Sequence, residues 1–451
     1  MTDSTFAVSG EPTHWALSAL LLLLWLLASW RWLRKMPLEG ATEAHWLIIH
    51  ASQTGQAQDL AKTAFRRVSK VLEAQGRTAR LAAANVVTKS DLARAEALCF
   101  VVATTGEGEA PDNALRFERE VMASAPDLTG KLAAILALGD RRYDQFCAFG
   151  QRVAEWLEHN RATFLGPPVL VDDHAPADLE RWDALLRETG FPEAEQDSDA
   201  SVKSWKVVRR EQVAKASPGS GSGQTSDGLY HLVLQPQDHD ERQWQIGDLF
   251  ELHTPCGHLR DYSIANRPGS EELHLIVRRV LDQGRTGRGS GLLTATSEQN
   301  QVVNGRIRPH PSFRPPAGDG PLLAIGAGSG WAGLRPHVLH AMANDRPCWL
   351  IYGERQDADN DALLAEMRAW HREGQLLHLD LALSSGGGPY VQDIVAQKAA
   401  QLVQLCGPDT GVILCGRLAM GQACLAELAR MLSQDWLDEA RETGRLRHDL
   451  Y

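Results

Sequence analysis

From residue 44 to about 190, short apolar runs alternate with amphipathic stretches: HWLIIHAS, a helical run through Val71, ALCFVVATT, LAAILALGD and AFGQRVAEWLEHN. Strands that brief, separated by helices, predict a doubly wound parallel sheet whose ligands sit beyond the carboxyl ends of the strands. From Trp205 to about Pro316 the pattern changes to the two-residue alternation of β structure, in YHLVLQP, LFELHTP, DYSIA and ELHLIVRRV, which predicts a small barrel. After Gly320 the α/β alternation returns in PLLAIGAGSG, PCWLIYGER and GVILCG. Residues 191–204 are polar and acidic around Phe191 and read as a linker. The stretch SPGSGSGQTSDG (217–228) is flanked closely by strand-like runs and reads as a long hairpin loop. These shifts divide the soluble part into an α/β unit at 42–190, a β unit at 205–318 and a second α/β unit at 319–451.

Ahead of them, Trp15 to Trp30 is a block without charge, WALSALLLLLWLLASW, followed by Arg31, Arg34 and Lys35. At ~1.5 Å per residue the block reaches about 24 Å, and Trp32 and Leu33 extend it towards the ~30 Å of a hydrocarbon core. Positive charges would precede the apolar run in a cleaved leader, yet here Asp3, Glu11 and His14 do. The expectation is a tail at 1–12 and a single transmembrane helix at 13–35 in the inner (cell) membrane, with the soluble domains in the cytoplasm.

Composition narrows the chemistry. The chain has 57 acidic and 46 basic side chains and a formal charge of −11, which argues against a nucleic-acid partner. Its seven cysteines include no Cys-x-x-Cys pair, which argues against a disulfide framework and a structural metal site. No metal is expected.

Candidate sites gather at strand ends. The strand HWLIIH runs into Ser52, Gln53, Thr54, Gly55, Gln56 and Ala57 and then a helix, a place where backbone N–H groups and the helix dipole favour one phosphate. ALCFVVA leads into Thr104, Thr105, Gly106, Glu107 and Gly108, and LAAILALGD into Arg141 to Phe146. Glycine-bearing loops and the aromatic face of Tyr143 suit a flat heteroaromatic ring. The runs SQTGQA, TTGEGEAPDNA and LGDRRYDQFCAFG resemble the flavodoxin-type domain of diflavin reductases, the group of the sulfite reductase flavoprotein subunit and the NADPH:hemoprotein reductases. The resemblance implies FMN, with its phosphate on Ser52 to Ala57 and its ring among Thr104 to Gly108, Leu138, Gly139, Asp140, Tyr143, Phe146 and Asp172. Thr105 stands where some relatives carry an aromatic that stacks on the ring.

In the β unit, Arg260-Asp261-Tyr262-Ser263 offers a cation for a pyrophosphate, an aromatic for stacking and a hydroxyl; Gly287, Gly289 and Ser290 form a turn about 25 residues on. These resemble the FAD motifs of ferredoxin-reductase-type domains. In the last unit Gly326, Gly328, Ser329 and Gly330, then Arg355, Tyr390, Gln392 and Cys415, are similar to the nicotinamide-nucleotide site of the same reductases. The family's ending is matched by Asp449 and Tyr451, and the resemblance implies that Tyr451 covers the FAD ring. Ser263, Cys415, Asp449 and Tyr451 are then the groups nearest hydride transfer. Relatives that use NADPH carry a Ser-Arg pair and a lysine where this chain has Ser384-Ser385-Gly386-Gly387-Gly388-Pro389; Arg355 or Arg417 could compensate, and the donor is NADPH or NADH. With 11 residues between Asp248 and Arg260, the family's helical connecting domain is absent.

The function implied is a flavoprotein oxidoreductase passing electrons from NAD(P)H through FAD and FMN to a one-electron acceptor, a hemoprotein first and a ferric chelate second. Acidic residues on the FMN edge (Glu107, Glu109, Asp112, Asp140, Asp144, Asp172, Asp173) would steer a basic partner, or simply be a solvated face. Two other readings remain: an FAD-only flavin or ferric reductase, and a docking module without catalysis.

Overall fold

The computed structural model describes residues 45–52, 55–106, 108–141, 143–192, 202–214, 224–237, 244–282, 285–294, 301–355 and 362–451. Its first sheet contains β1 (Trp46–Ala51), β2 (Ala79–Ala83), β3 (Ala97–Ala103), β4 (Leu132–Gly139), β5 (Thr163–Phe164) and β6 (Val169–Asp172). The strands are parallel, in the order β2-β1-β3-β4-β5, with β6 also on β4. Both faces are covered. Leu47 and Ile49 of β1 join Phe100, Phe117 and Trp156 on one side, while Trp46 and Ile48 join Val68 and Trp182 on the other. That is why β1 reads as an unbroken apolar run rather than an alternating one.

The second sheet is antiparallel: β7 (Lys203–Ala214), β8 (Gln224–Pro236), β9 (Leu249–His253), β10 (Leu259–Ser263), β11 (Leu273–Asp282), β12 (Arg285–Thr286) and β13 (Val302–Arg308). Its order is β10-β9-β13-β7-β8-β11-β12, and a bridge from Ile264 to Leu275 brings the β10 end back to β11, so the sheet curls into a near-barrel. Trp205, Leu232, Phe250, Leu252 and Leu275 fill it. Strands β9 and β10 are joined by a tight turn in which Thr254 N donates to His258 O at 3.0 Å.

The third sheet holds β14 (Leu322–Ala327), β15 (Cys348–Glu354), β16 (His378–Leu383), β17 (Gly411–Gly416) and β18 (Leu446–Leu450), all parallel in the order β16-β15-β14-β17-β18.

The junctions differ in kind. The barrel and the C-terminal lobe share one apolar cluster, in which Val213, Ala214, Leu229, Ala265 and Ile276 pack with Phe313, Trp331 and Leu334. The N-terminal lobe instead meets the other two through polar pairs. Gln56 Nε2 donates to Asp261 at 2.8 Å, Arg260 pairs with Asp173 at 3.1 Å, Arg119 with Glu442 at 2.8 Å and His448 with Asp112 at 3.2 Å. Gly55, at φ +90°, makes the closest backbone approach, since a Cβ there would lie 2.9 Å from Pro309 O. The barrel side of this seam rests on Arg308, 1% exposed, which pairs with Asp261 and with Glu251 at 3.4 Å.

Several sequence expectations are revised. Strand β8 begins at Gln224, so the last residues of the expected 217–228 loop belong to a strand; residues 215–223 lie outside the described residues. In the expected linker, Phe191 is buried against Trp46 with ring centroids 4.8 Å apart, and Lys203 already stands in β7, while 193–201 lie outside the described residues. The inner-membrane, single-pass location is corrected. Among the described residues no helix is long and apolar enough to cross a membrane, and the 18-residue helix Gln56–Glu73 carries Asp59, Lys62, Arg66, Arg67, Lys70 and Glu73. The expected span at 13–35 lies outside the described residues, and the anchor is withdrawn.

Two pH dependences follow. Burial would raise the Glu251 carboxyl, but hydrogen bonds from His253 and Arg306 and the charges of Arg306 and Arg308 pull it from 4.5 down to about 2. Its contribution, roughly 3 kcal/mol, is therefore complete above pH 4.5 and lost as pH falls through 2. Glu251→Gln should melt lower than the parent at pH 7 and lose less stability between pH 5 and 2, read by thermal denaturation. For His448, burial lowers the pKa, but the charge and hydrogen bond of Asp112, with Asp449 beyond, outweigh it and Arg441, leaving the imidazole raised above 6.5. The His448–Asp112 pair is then complete below pH 6.5 and weakens as pH rises through the folded value. Small-angle scattering should show the N-terminal lobe moving outward between pH 6.5 and 9, and His448→Gln should remove that step.

Candidate functional site

Three loops meet at the carboxyl edge of the first sheet. After β1, Ser52 N donates to Asn113 Oδ1 at 3.0 Å and Ser52 Oγ accepts from Gly55 N at 2.9 Å, shaping the turn into the helix Gln56–Glu73. Gly55 gives that helix no side-chain cap, so its first-turn N–H groups face the loop, and Ala57 is buried beneath. After β3, Thr105 and Glu109 exchange backbone hydrogen bonds of 3.0 and 2.8 Å around Gly106 and Gly108, while Thr104 Oγ1 accepts from Phe149 N at 3.2 Å. Arg152 donates to Gly108 O at 2.8 Å. After β4, which ends in Leu138 and Gly139, Asp140 O accepts from Tyr143 N at 3.1 Å. Arg141 N donates to Asp172 Oδ1 at 2.9 Å, and its guanidinium lies 4.2 Å from the Phe146 ring centroid. Tyr143 is 37% exposed in this loop. Gln53, Thr54 and Glu107 lie outside the described residues.

On the barrel, Arg260 and Tyr262 lie on one face of β10 because successive strand residues alternate. The first turn of the helix Arg288–Thr294 packs on them so closely that a Cβ on Gly289 would stand 2.6 Å from Tyr262 Oη and 2.9 Å from Arg260 Cγ. Only glycine fits there. Gly287 N donates to Val280 O at 2.8 Å, Val280 N donates to Ser290 Oγ at 3.2 Å, and Ser263 closes β10 opposite Leu249. Burial raises the Tyr262 phenol, so it remains protonated at neutral pH.

In the C-terminal lobe, a cavity of about 370 Å³ opens over the carboxyl ends of β14, β15 and β16. Gly328, Ser329, Arg355, Ser384, Tyr390 and Gln392 line it, together with Arg278 and Val280 from the barrel and Arg417 from the end of β17. Ser385 is exposed outside this lining, and Gly326 and Gly330 lie beneath it, buried. Tyr352 Oη donates to Gly328 O at 2.8 Å and fixes the glycine turn. Beside the cavity, β18 sets Asp449 opposite Cys415 in parallel register. Tyr451 is held by its backbone, N to Gly416 O at 3.1 Å and O from Leu418 N at 3.0 Å, and its hydroxyl lies 2.8 Å from Ser329 Oγ. Burial, with the charge of Asp449, pushes the Cys415 thiol well above its usual range, so it stays neutral.

Sequence reasoning had passed over Arg278, which pairs with Glu354 at 3.6 Å, and Arg308 at the seam; it had named Asp173 only as part of an acidic edge and Asp261 only as a member of the Arg260–Ser263 run, with no seam partner for either. A charged pair inside the apolar run LHLIVRRV was the one available signal for Arg278. The seam residues carried none, because their partners are distant in the chain.

A flavodoxin family model matches residues 48–183, and a model of the oxidoreductase NAD-binding domain matches 324–425. The sulfite reductase [NADPH] flavoprotein alpha-component of Thiocapsa roseopersicina is 27% identical to the chain, covering 86% of it and 84% of the relative. That of Vibrio cholerae is 24% identical over 547 aligned positions, covering 91% of this chain and 88% of the relative. The latter alignment is longer than the 451-residue chain, so part of that relative has no counterpart here. A third, from Mannheimia succiniciproducens, is 30% identical over 46% of the chain and 38% of its own length. With a flavodoxin domain ahead of a near-barrel sheet and an oxidoreductase NAD-binding domain behind it, the protein is an NAD(P)H-dependent diflavin oxidoreductase.

Proposed function

We propose that the chain takes electrons from NADPH at its C-terminal lobe (319–451) and passes them through FAD on the barrel (205–318) and FMN on the flavodoxin lobe (42–190) to a hemoprotein. When bound, FAD accepts the hydride and FMN releases electrons singly; the protein's part is to bind and orient. The observation that carries the reading is the wall shared by cavity and barrel. There Ser329, Cys415, Asp449 and Tyr451 converge beside Arg278, so a nucleotide in the cavity would end against the barrel's own ligand. The names of the relatives, NADPH sulfite reductase components, support the donor and a heme-bearing partner.

In this reading Arg260, with the turn of Gly287, Gly289 and Ser290, holds the FAD diphosphate, and Ser263 reaches the flavin's polar edge. The neutral Cys415 thiol and Asp449 line the hydride path, and Tyr451 covers the flavin face until the nicotinamide displaces it. The FMN phosphate rests on Ser52 to Ala57 and its ring between Thr104 to Gly108 and Tyr143, beside Leu138, Gly139, Asp140, Phe146 and Asp172. The loop Ser384 to Pro389 has no cation, so Arg355 and Arg417, both lining the cavity, are the candidates for the NADPH 2′-phosphate.

Flavin extraction tests the whole reading: FMN and FAD in equal amounts are expected, FAD alone would mean a flavin or ferric reductase, and no flavin a docking module. Arg417→Gln should raise KM for NADPH about tenfold, ~1.4 kcal/mol, with little change for NADH in steady-state assays. Tyr451→Ala should shift the preference towards NADH, read from the ratio of the two kcat/KM values.

A further inference from the structure

Arg260 has two claimants. Its guanidinium meets Asp173 fork to fork, Nη2 to Oδ2 at 3.1 Å and Nη1 to Oδ1 at 3.3 Å, although Asp173 belongs to the flavodoxin lobe, 87 residues away in sequence. Its Cβ and Cγ stay against the Gly289 turn, where the reading above sets the FAD diphosphate. One guanidinium cannot give the same pair of N–H groups to two anions at once. Asp173 and His174 both adopt left-handed backbone, φ +42° and +61°, and His174 has a buried Nε2 without a hydrogen-bond partner. The segment is therefore held in an unfavourable conformation that presents the Asp173 carboxylate to the barrel.

We propose that Asp173 is a positioning residue that competes with FAD for Arg260, so that docking of the flavodoxin lobe and loading of FAD oppose each other. Two effects share one sign: Asp173 occupies the cation the diphosphate needs, and it sets a negative charge beside that diphosphate. Conversely, FAD loading withdraws Arg260 from the seam and leaves Gln56–Asp261, Arg119–Glu442 and His448–Asp112 to hold the lobe. The inference rests on the assignment of Arg260 to FAD, and the test separates the two.

Full-length protein holding FMN and stripped of FAD is titrated with FAD, and binding is followed by quenching of FAD fluorescence. Asp173→Asn keeps a residue that tolerates left-handed backbone. Both partners of the pair are about one third exposed, so the expected gain in FAD affinity is about two- to fivefold at low salt, shrinking at high salt. Asp173→Glu should remain near the parent. Arg260→Gln should weaken FAD binding, and adding Asp173→Asn to it should give a smaller gain than in the parent, the part that comes from removing the charge alone. An unchanged or weaker affinity for Asp173→Asn, with Arg260→Gln weakened, overturns the competition and leaves the FAD site standing. Unchanged affinity for Arg260→Gln overturns the site itself.

Discussion

Among the described residues the flavodoxin lobe is joined to the rest of the molecule chiefly by polar and charged pairs. A solvent-accessible ion pair is worth about 0.2–1 kcal/mol, whereas each large apolar side chain buried between barrel and C-terminal lobe contributes about 1.5–3 kcal/mol. The shared cluster of Leu229, Ala265 and Ile276 with Phe313, Trp331 and Leu334 thus makes those two units one body. The seam at Asp173, Asp112, Gln56 and Arg119 makes the third separable. In the proposed electron path that difference would keep the nucleotide site fixed against the barrel and leave the flavodoxin lobe free to part from it.

The seam works because its barrel side is stiff. Arg308 is desolvated, and a buried charge is tolerated only when paired; Glu251 and Asp261 supply the pairs, and Arg306 and His253 satisfy Glu251 in turn. Strand pairing of β10 with β9 and of β9 with β13 sets these groups side by side. Asp261 Oδ2, which accepts from Arg308 Nη2, also accepts from Gln56 Nε2 of the other lobe. The same strand alternation that turns Asp261 to this cluster turns Arg260 and Tyr262 to the Gly289 turn, so one short strand serves both the seam and the proposed FAD site.

Much of the fold was legible because it is written in local periodicity. Unbroken apolar runs gave the parallel strands β1, β3 and β4, and two-residue alternation gave the antiparallel sheet. The 11 residues between Asp248 and Arg260 left room for no more than the short turn that joins β9 to β10. Motif loops were legible too, since a turn after a strand is a local event. Contacts across long loops were not: nothing near Asp173 names Arg260, and nothing near Asp112 names His448. The Gly-Ser-rich stretch misled for a similar reason, because Gln224 to Gly228 join β8 through pairing with β11, a partner some 50 residues on. The tilt of composition at residues 13–35 suggested a span that the described helices do not provide.

Because β9 passes to β10 in a five-residue turn, no folded spacer stands between those two strands. Pro192 and Val202 are joined by ten peptide units, which cannot stretch past about 36 Å. A lobe that left its seat would stay leashed within that radius of the barrel, and its return would be an intramolecular event. Any dissolved protein seeking the exposed FMN edge must outpace this recapture, so the leash, as much as the acceptor's affinity, sets how long the edge is on offer.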